Sequence, residues 1–335
     1  MKTATAINET GSGRVVAAPA GPCMVTVLGA GRSGTSAITR AMSAIGVDLG
    51  DRLRRGRGKN PTGFWEDRDL LSLNTRLKRA LDIRGDSVRL IEDDEWDAPH
   101  VRAIHDETLS VLRRRFGDNP LWGYKYGRTL RMLPFWLRVY DELGLDARYV
   151  VALRNPLSVA RSRKALDARR GTQEKSDLEW LVNVVPYFSL VRERPVVVVD
   201  YDLLMEDPSR ELERMAAELG LPLESRAGIE DYCTEFLRPG MRHSRFTVED
   251  LAADENTNRL VREAYPRLYA LAAGRTAIDD PAFWTELEEI RRQLVELSPA
   301  LRHIDTVQAD LRGAQRSFLG PLQALPEIWR RLRAR

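Results

Sequence analysis

Cysteine and histidine are scarce in this chain of 335 residues: two cysteines, Cys23 and Cys233, and four histidines, His100, His105, His243 and His303. The cysteines stand far apart without metal-ligand spacing, which argues against a disulfide framework or a zinc site and fits a reducing cytoplasm. The histidines form no cluster, so no metal is expected. Long apolar runs are missing as well. Stretches such as Val196 to Val199 fall far short of the ~20 residues a membrane-spanning helix needs. No apolar segment accompanies Lys2 and Arg14, which argues against a secretory signal, and residues 1–22, rich in Ala, Gly, Thr and Pro, read as a mobile leader. A net charge of +3 gives no ground for expecting a nucleic acid partner.

What remains is ordinary globular material, 43% hydrophobic, long enough for one elaborated α/β domain or for two domains. Met24 to Leu28, Leu121 to Lys125, Arg148 to Leu153 and Val196 to Asp200 read as strands, the last buried on both faces. Helices are predicted over Gly34 to Ile45, Asp67 to Leu81, Pro99 to Phe116, Met132 to Leu143 and Ser176 to Glu193, and from Pro156 and Asp207-Pro208, where proline sits at a favourable first position. Strands alternating with helices imply a largely parallel sheet flanked by helices. After about residue 225 the pattern is helical to the end.

The segment Val25-Thr-Val-Leu-Gly-Ala-Gly-Arg-Ser-Gly-Thr-Ser36 runs from a strand through a glycine-rich turn into a helix. Such a turn closes backbone N–H groups around an anion, and the helix N-terminus adds positive potential. Three phosphate-binding patterns compete for it. Gly29, Gly31 and Gly34 match the dinucleotide fingerprint, but that fold needs a second strand and an acidic residue about 20 positions on. Asp48 has the distance, yet Val47-Asp48-Leu49-Gly50 is too short and too glycine-bound for that strand. Gly29 and Gly34 also frame a nucleoside-triphosphatase loop, where Lys should follow; here Thr35 and Ser36 follow, which disfavours an ATP-dependent kinase or other phosphotransferase.

The third pattern moves the cation two residues ahead of Gly34. Arg32-Ser33-Gly34-Thr35-Ser36 resembles the 5′-phosphosulfate loop of the sulfotransferases that use 3′-phosphoadenosine-5′-phosphosulfate (PAPS). A second segment strengthens the resemblance: a strand, then Arg154-Asn155-Pro156, then a helix with Ser162 eight residues after the arginine. The resemblance implies that Arg32 contacts the 5′-phosphate and the bridging oxygen, with Ser33, Thr35 and Ser36 completing the cradle. It implies that Arg154 and Ser162 grip the 3′-phosphate. Physically, an arginine at the carboxyl end of a strand lies where open α/β sheets collect ligands, and its fork suits phosphate oxygens. Val199-Asp-Tyr201 to Asp207-Pro208 is similar to a third family segment, whose tyrosine touches adenine; Tyr201 is that candidate, with core packing as its alternative role. Arg242, in Arg242-His243-Ser244, stands where some members carry a late basic loop on the 3′-phosphate.

The acceptor hydroxyl needs a base. Family members acting on small molecules place a His in a Lys-Thr-His segment. The matching stretch here is Lys125-Tyr126-Gly127-Arg128, which departs from that pattern and from the Lys-Asp-Pro-Arg of bacterial members. Asn60-Pro-Thr-Gly-Phe-Trp-Glu66 is similar to the N-P-x-G-x-x-E segment of the carbohydrate-directed members, which makes Glu66 the expected base, packed against Phe64 and Trp65. The alternative is that Glu66 or Asp67 serves only the helix N-terminus. His243 is the second choice of base, and Lys125 is expected to assist at the sulfuryl oxygens. The basic loop of Arg52, Arg54, Arg55, Arg57 and Lys59 reads equally as a solvated loop or as an anion clamp.

The expected fold is thus α/β, a P-loop-like three-layer domain over residues 23–283 with a helical extension over 284–335. The expected function is sulfuryl transfer from PAPS, leaving the product PAP, to a hydroxyl of a glycan, glycolipid or small-molecule acceptor. In the tail, Leu301, Ile304 and Leu311 keep roughly heptad spacing, while Gln308 and Gln315 weaken a coiled coil. The tail is expected to pack back on the domain; a homodimer, or contact with an anionic membrane surface through Trp329 and the terminal arginines, is the alternative.

Overall fold

The computed structural model describes residues 16–54, 56, 63–126, 130–168, 170–223 and 225–333, the side chains of 239 and 316–333 excepted. Four parallel strands, β1 (Cys23–Gly29), β2 (Leu121–Lys125), β3 (Asp146–Leu153) and β4 (Val196–Asp200), form one sheet in the order β2-β1-β3-β4. The register aligns Val27 with Lys125, Gly29 with Ala152, and Leu153 with Asp200. Every carboxyl end therefore opens on the same edge of the sheet, and the chain order reverses beside β1, where doubly wound sheets place their ligands.

The helices are α1 (Thr35–Ala44), α2 (Arg68–Ala80), α3 (Pro99–Phe116), α4 (Leu133–Glu142), α5 (Pro156–Lys164) and α6 (Gln173–Val184). There follow α7 (Tyr201–Glu206), α8 (Pro208–Glu218), α9 (Ala227–Asp231), α10 (Val248–Ala253), α11 (Arg259–Ala272), α12 (Pro281–Glu296) and α13 (Ser298–Arg333). Alternate strand residues feed two cores, as the two-residue period of a strand requires. Val25, Val27, Val150, Ala152, Val197 and Val199 pack with Ile38 and Met42 of α1 and with Leu212 and Met215 of α8. Met24, Leu28, Tyr149, Val151 and Val198 pack on the other side with Trp122, Trp136, Trp180 and Leu268.

The expectations from sequence hold for the four strands and miss in three places. The helix predicted over Ser176 to Glu193 ends at Val184 and continues as a 3-10 turn, Val185–Val191. Pro186 lacks the N–H that an α-helical turn would use. The region after residue 225 is not uniformly helical: a π-helical turn, Tyr232–Phe236, is followed by a loop at 242–247 that becomes important below. The boundary expected at residue 284 falls inside α12, whose Phe283, Trp284, Leu287 and Ile290 are buried in the main core.

α13 packs back on the domain through its first turns. Leu301 is buried, the Asp305 carboxylate accepts from the N–H groups of Val88 (2.9 Å) and Arg89 (3.2 Å), and Arg312 pairs with Asp86 at 2.7 Å. Gln308, a residue of the heptad seam, accepts from Lys175 at 3.1 Å, whereas Leu311 is 56% exposed. Among the described residues no helix is long and apolar enough to cross a membrane.

One buried acid gives the fold a pH dependence. Asp177 of α6 accepts from Gln173 (2.6 Å) and from the Asn258 N–H (2.7 Å), yet burial pushes its carboxyl up from 3.8 to about 7. The folded chain then holds a proton that the unfolded chain releases near pH 4. Stability from this group is full below that pH and is lost as pH rises towards 7, by up to about 4 kcal/mol. Asp177→Asn should flatten that part of the stability–pH curve, measured by urea denaturation between pH 4 and 8.

Candidate active site

The site lies along the carboxyl edge of the sheet. After β1 the chain turns through Gly29 and Gly34, both at positive φ (138° and 76°), into α1. Gly34 caps α1 without a side-chain hydrogen bond, and the first turn of α1 carries no acidic residue. The helices that follow β3 and β4 are capped by the side chains of Asn155 and Asp200. The N–H groups of α1 thus meet no side-chain cap and no acidic residue in their own first turn, as suits an anion site.

Gly34 is required for a second reason. A Cβ at this position would fall within the ring of Tyr201, whose hydroxyl donates to the Met241 carbonyl at 3.0 Å. The Arg154 guanidinium lies over the same ring, 4.6 Å from its centroid. Tyr201 is buried and lies between the loop and Arg154. Gly34→Ala should cost about 2–4 kcal/mol, from left-handed strain and overpacking together, read as a lowered midpoint in chemical denaturation.

The two arginines separated by more than a hundred positions come together. Arg154 is buried; its Nη1 donates to the Arg32 carbonyl at 3.5 Å and its Nη2 to the Ser244 carbonyl at 3.3 Å. Arg32 takes a positive φ of 78°, and its Nε donates to Ser162 Oγ at 3.1 Å. Loss of solvent holds the Arg32 guanidinium below its ordinary range, and the positive charge of Arg154 pushes the same way. Ser33 Oγ and Arg154 Nε are both buried without a hydrogen-bond partner among the described residues. Buried polar atoms are seldom left so, and two such donors beside a phosphate-type loop fit an anionic group that would engage them.

A second cluster stands at the end of β2. Lys125 Nζ donates to Ser36 Oγ in the first turn of α1 at 3.2 Å and pairs with Glu66 Oε1 at 3.1 Å. Glu66 Oε2 meets Arg54 Nη1 at 3.3 Å, and Arg54 is stacked over Phe64 at 4.1 Å. Glu66 is buried as expected, and its partners are the two cations Lys125 and Arg54. It is not the helix cap: Asp67 takes that part, accepting from the N–H groups of Asp69 and Leu70. Burial lowers the Lys125 pKa, Glu66 opposes the shift, and Arg54 and Arg32 add to it.

The other predicted residues are placed as follows. Thr35 is buried at the start of α1, and the carbonyl of Gly31 accepts from the buried Arg163 at 3.4 Å. Arg242 lies beside the carboxylates of Asp202 (4.0 Å) and Glu206 (3.8 Å). His243 is exposed on the 242–247 loop, and no hydrogen bond or ion pair among the described residues joins it to Glu66 or Lys125. Gly127 and Arg128, and Arg55, Arg57 and Lys59 of the basic loop, lie outside the described residues, as do residues 1–15 of the leader. Asp48, the acidic residue of the dinucleotide alternative, instead holds a turn, accepting from Asn119 (2.6 Å) and the Gly50 N–H (2.8 Å). Among the described residues no three His, Cys, Asp or Glu side chains are grouped to hold a metal ion.

Sequence reasoning missed what holds this edge together. Asn155 does more than cap α5: its Nδ2 donates to the carbonyls of Phe246 (3.1 Å) and Thr247 (2.8 Å), pinning the 242–247 loop over Arg154. Arg163 is paired with the buried Glu179 at 2.9 Å, which Arg170 also meets at 2.7 Å. Both helices carry several charged residues, and nothing in sequence singles out Arg163 and Glu179 or pairs them.

No protein-family model matches this chain, and no curated protein is significantly similar to it. Among solved structures it is similar to the sulfotransferase domain of the Synechococcus PCC 7002 olefin synthase, with 15% identity, 82% of this chain and 95% of that one covered, and a TM-score of 0.39. It is also similar to the sulfotransferase domain of the curacin biosynthetic pathway, with 18% identity, 63% and 77% covered, and a TM-score of 0.39. A third likeness is to the sulfotransferase STF1 of Mycobacterium tuberculosis H37Rv, with 16% identity, 76% and 77% covered, and a TM-score of 0.38.

Proposed function

We propose that this protein transfers a sulfuryl group from PAPS to a hydroxyl of an acceptor, a carbohydrate or glycolipid being favoured by the segment that carries Glu66. The observation that supports this most is the position of Lys125, held between Ser36 at the head of α1 and the Glu66 carboxylate. It puts a cation and a base side by side at the mouth of an anion loop that lacks the lysine of nucleoside triphosphatases.

In this reading the 5′-phosphosulfate lies over the loop and the α1 N-terminus. The acceptor hydroxyl gives its proton to Glu66 while its oxygen attacks sulfur in line with the bridging oxygen. The new S–O bond forms as the bond to the 5′-phosphate breaks, the electron pair staying on the phosphate. Protonation of Glu66 removes the counter-charge of Lys125 at the moment negative charge grows on the leaving oxygen, so the ammonium becomes available to stabilise it. The products are a sulfate ester and PAP.

Calorimetric titration without added metal should show PAP binding at least about tenfold more tightly than ATP or NAD, the size of effect that one charge-assisted contact gives. Transfer of radiolabelled sulfate from PAPS to a panel of sugars, glycolipids and phenols would then identify the acceptor. Tighter binding of ATP, with transfer of its terminal phosphate when Mg²⁺ is supplied, would overturn the proposal in favour of a phosphotransferase.

A further inference from the structure

We propose that Trp65 is a positioning residue for the reaction: its indole, anchored to α1 and to the Tyr232–Phe236 turn, fixes where the Glu66 carboxylate stands. This rests on the sulfuryl-transfer reading above and on Glu66 as its base. The family segment that carries Glu66 leaves the preceding position open, so the resemblance in sequence gives Trp65 no part.

Trp65 has a φ of 54°, in the left-handed region where a bulky residue is an outlier, and such a conformation persists only where the surroundings impose it. Here the surroundings are aromatic. The Phe236 ring meets the indole edge-on, with centroids 6.0 Å apart, and stacks on Tyr232 at 5.2 Å. The Arg40 guanidinium of α1 lies 5.6 Å from the centre of the indole and 5.8 Å from that of Phe236. Tyr232 is buried and donates to the Ala37 carbonyl of α1 at 3.2 Å. The indole Nε1 is buried and makes no hydrogen bond among the described residues, so the ring is held by these packing and cation–π contacts. Beyond Trp65 the chain is pinned by pairing. The Arg54 N–H donates to the Glu66 carbonyl at 2.8 Å, Leu53 and Asp67 form an antiparallel bridge, and Arg115 donates to both Asp67 oxygens at 2.7 Å. The backbone of Glu66 is thus fixed on both sides, and the turn at Trp65 sets the direction in which its side chain leaves. Lys125 takes its reference from the same helix, through Ser36, one turn ahead of Arg40. Base and cation are both registered on α1, with Glu66 Oε1 3.1 Å from Lys125 Nζ.

The test is steady-state transfer from radiolabelled PAPS to the best acceptor of the panel of sugars, glycolipids and phenols, with calorimetric titration of PAP beside it. Trp65→Leu should lower kcat by about 10- to 100-fold while PAP affinity and KM for PAPS stay within about threefold, because a carboxylate displaced by about 1 Å loses alignment and not nucleotide contact. Trp65→Phe restores a ring at the same place and should recover most of the loss. In a Glu66→Gln background Trp65→Leu should cost nothing more, as residues acting through one group require. Phe236→Leu leaves the strained position untouched and should lower kcat in the same direction, less than additively with Trp65→Leu. It carries the test if Trp65→Leu does not fold, and full kcat in the folded variant of either residue overturns the proposal. So does PAP affinity that falls in step with kcat, or a further slowing of the Glu66→Gln enzyme. Wild-type protein that transfers sulfate to none of the acceptors is a different failure: it removes the sulfuryl-transfer reading, and the part of Trp65 with it.

Discussion

Glu66→Gln should lower kcat by about 100- to 10,000-fold, the range general-base catalysis supplies, while PAP affinity stays within about threefold. The amide keeps the shape of the carboxylate and loses its basicity. It also leaves Lys125, 4% exposed at its side chain, without the partner that opposes its desolvation. An unpaired buried cation is destabilising, so the comparison needs Lys125→Met and the double variant beside it. A carboxylate that merely positions Lys125 would have no further effect once Lys125 is gone. A base would still slow the Lys125→Met enzyme by a similar factor. Full turnover in Glu66→Gln would remove the base assignment altogether.

Arg154→Ala is expected to weaken PAP by roughly 100-fold or more, since a guanidinium can make two charge-assisted hydrogen bonds to one phosphate. Arg154→Lys should recover only part of that loss, because a single ammonium cannot reproduce the fork. The residue also covers the ring of Tyr201 and reaches the carbonyls of Arg32 and Ser244. The alanine variant should therefore loosen the 242–247 loop, which hydrogen exchange of its amides would report. Unchanged KM for PAPS in Arg154→Ala would contradict the role given to it.

How much of this was legible in the sequence follows from range. The strand–turn–helix at Gly29 to Ser36 and the Arg154-Asn155-Pro156 turn are local: glycine, proline and a period of two or of about 3.6 dictate them within a dozen residues. The grouping of Arg32 with Ser162, or of Lys125 with Ser36 and Glu66, depends on which strands lie side by side. Only the order β2-β1-β3-β4 brings those ends together. Candidate residues could thus be named one at a time, but not the partner each would choose. Arg32 is the clearest instance, since its sequence motif marks it as an anion contact but gives no hint of its hydrogen bond to Ser162. The over-long helix at Ser176 to Glu193 has a local cause that was visible, Pro186, and was outweighed by the apolar pattern around it.

The attachment of α13 has a practical side. Asp305 is bonded to the N–H groups of Val88 and Arg89, and Arg312 to Asp86. Trimming the protein back to residue 297 would strip two backbone donors of their acceptor and remove the buried Leu301 from the core. A cut beyond Gly313 would leave all three attachments whole. For anyone shortening this protein for crystals or fusing a reporter to it, the last helix as far as Arg312 is part of the body, not a handle.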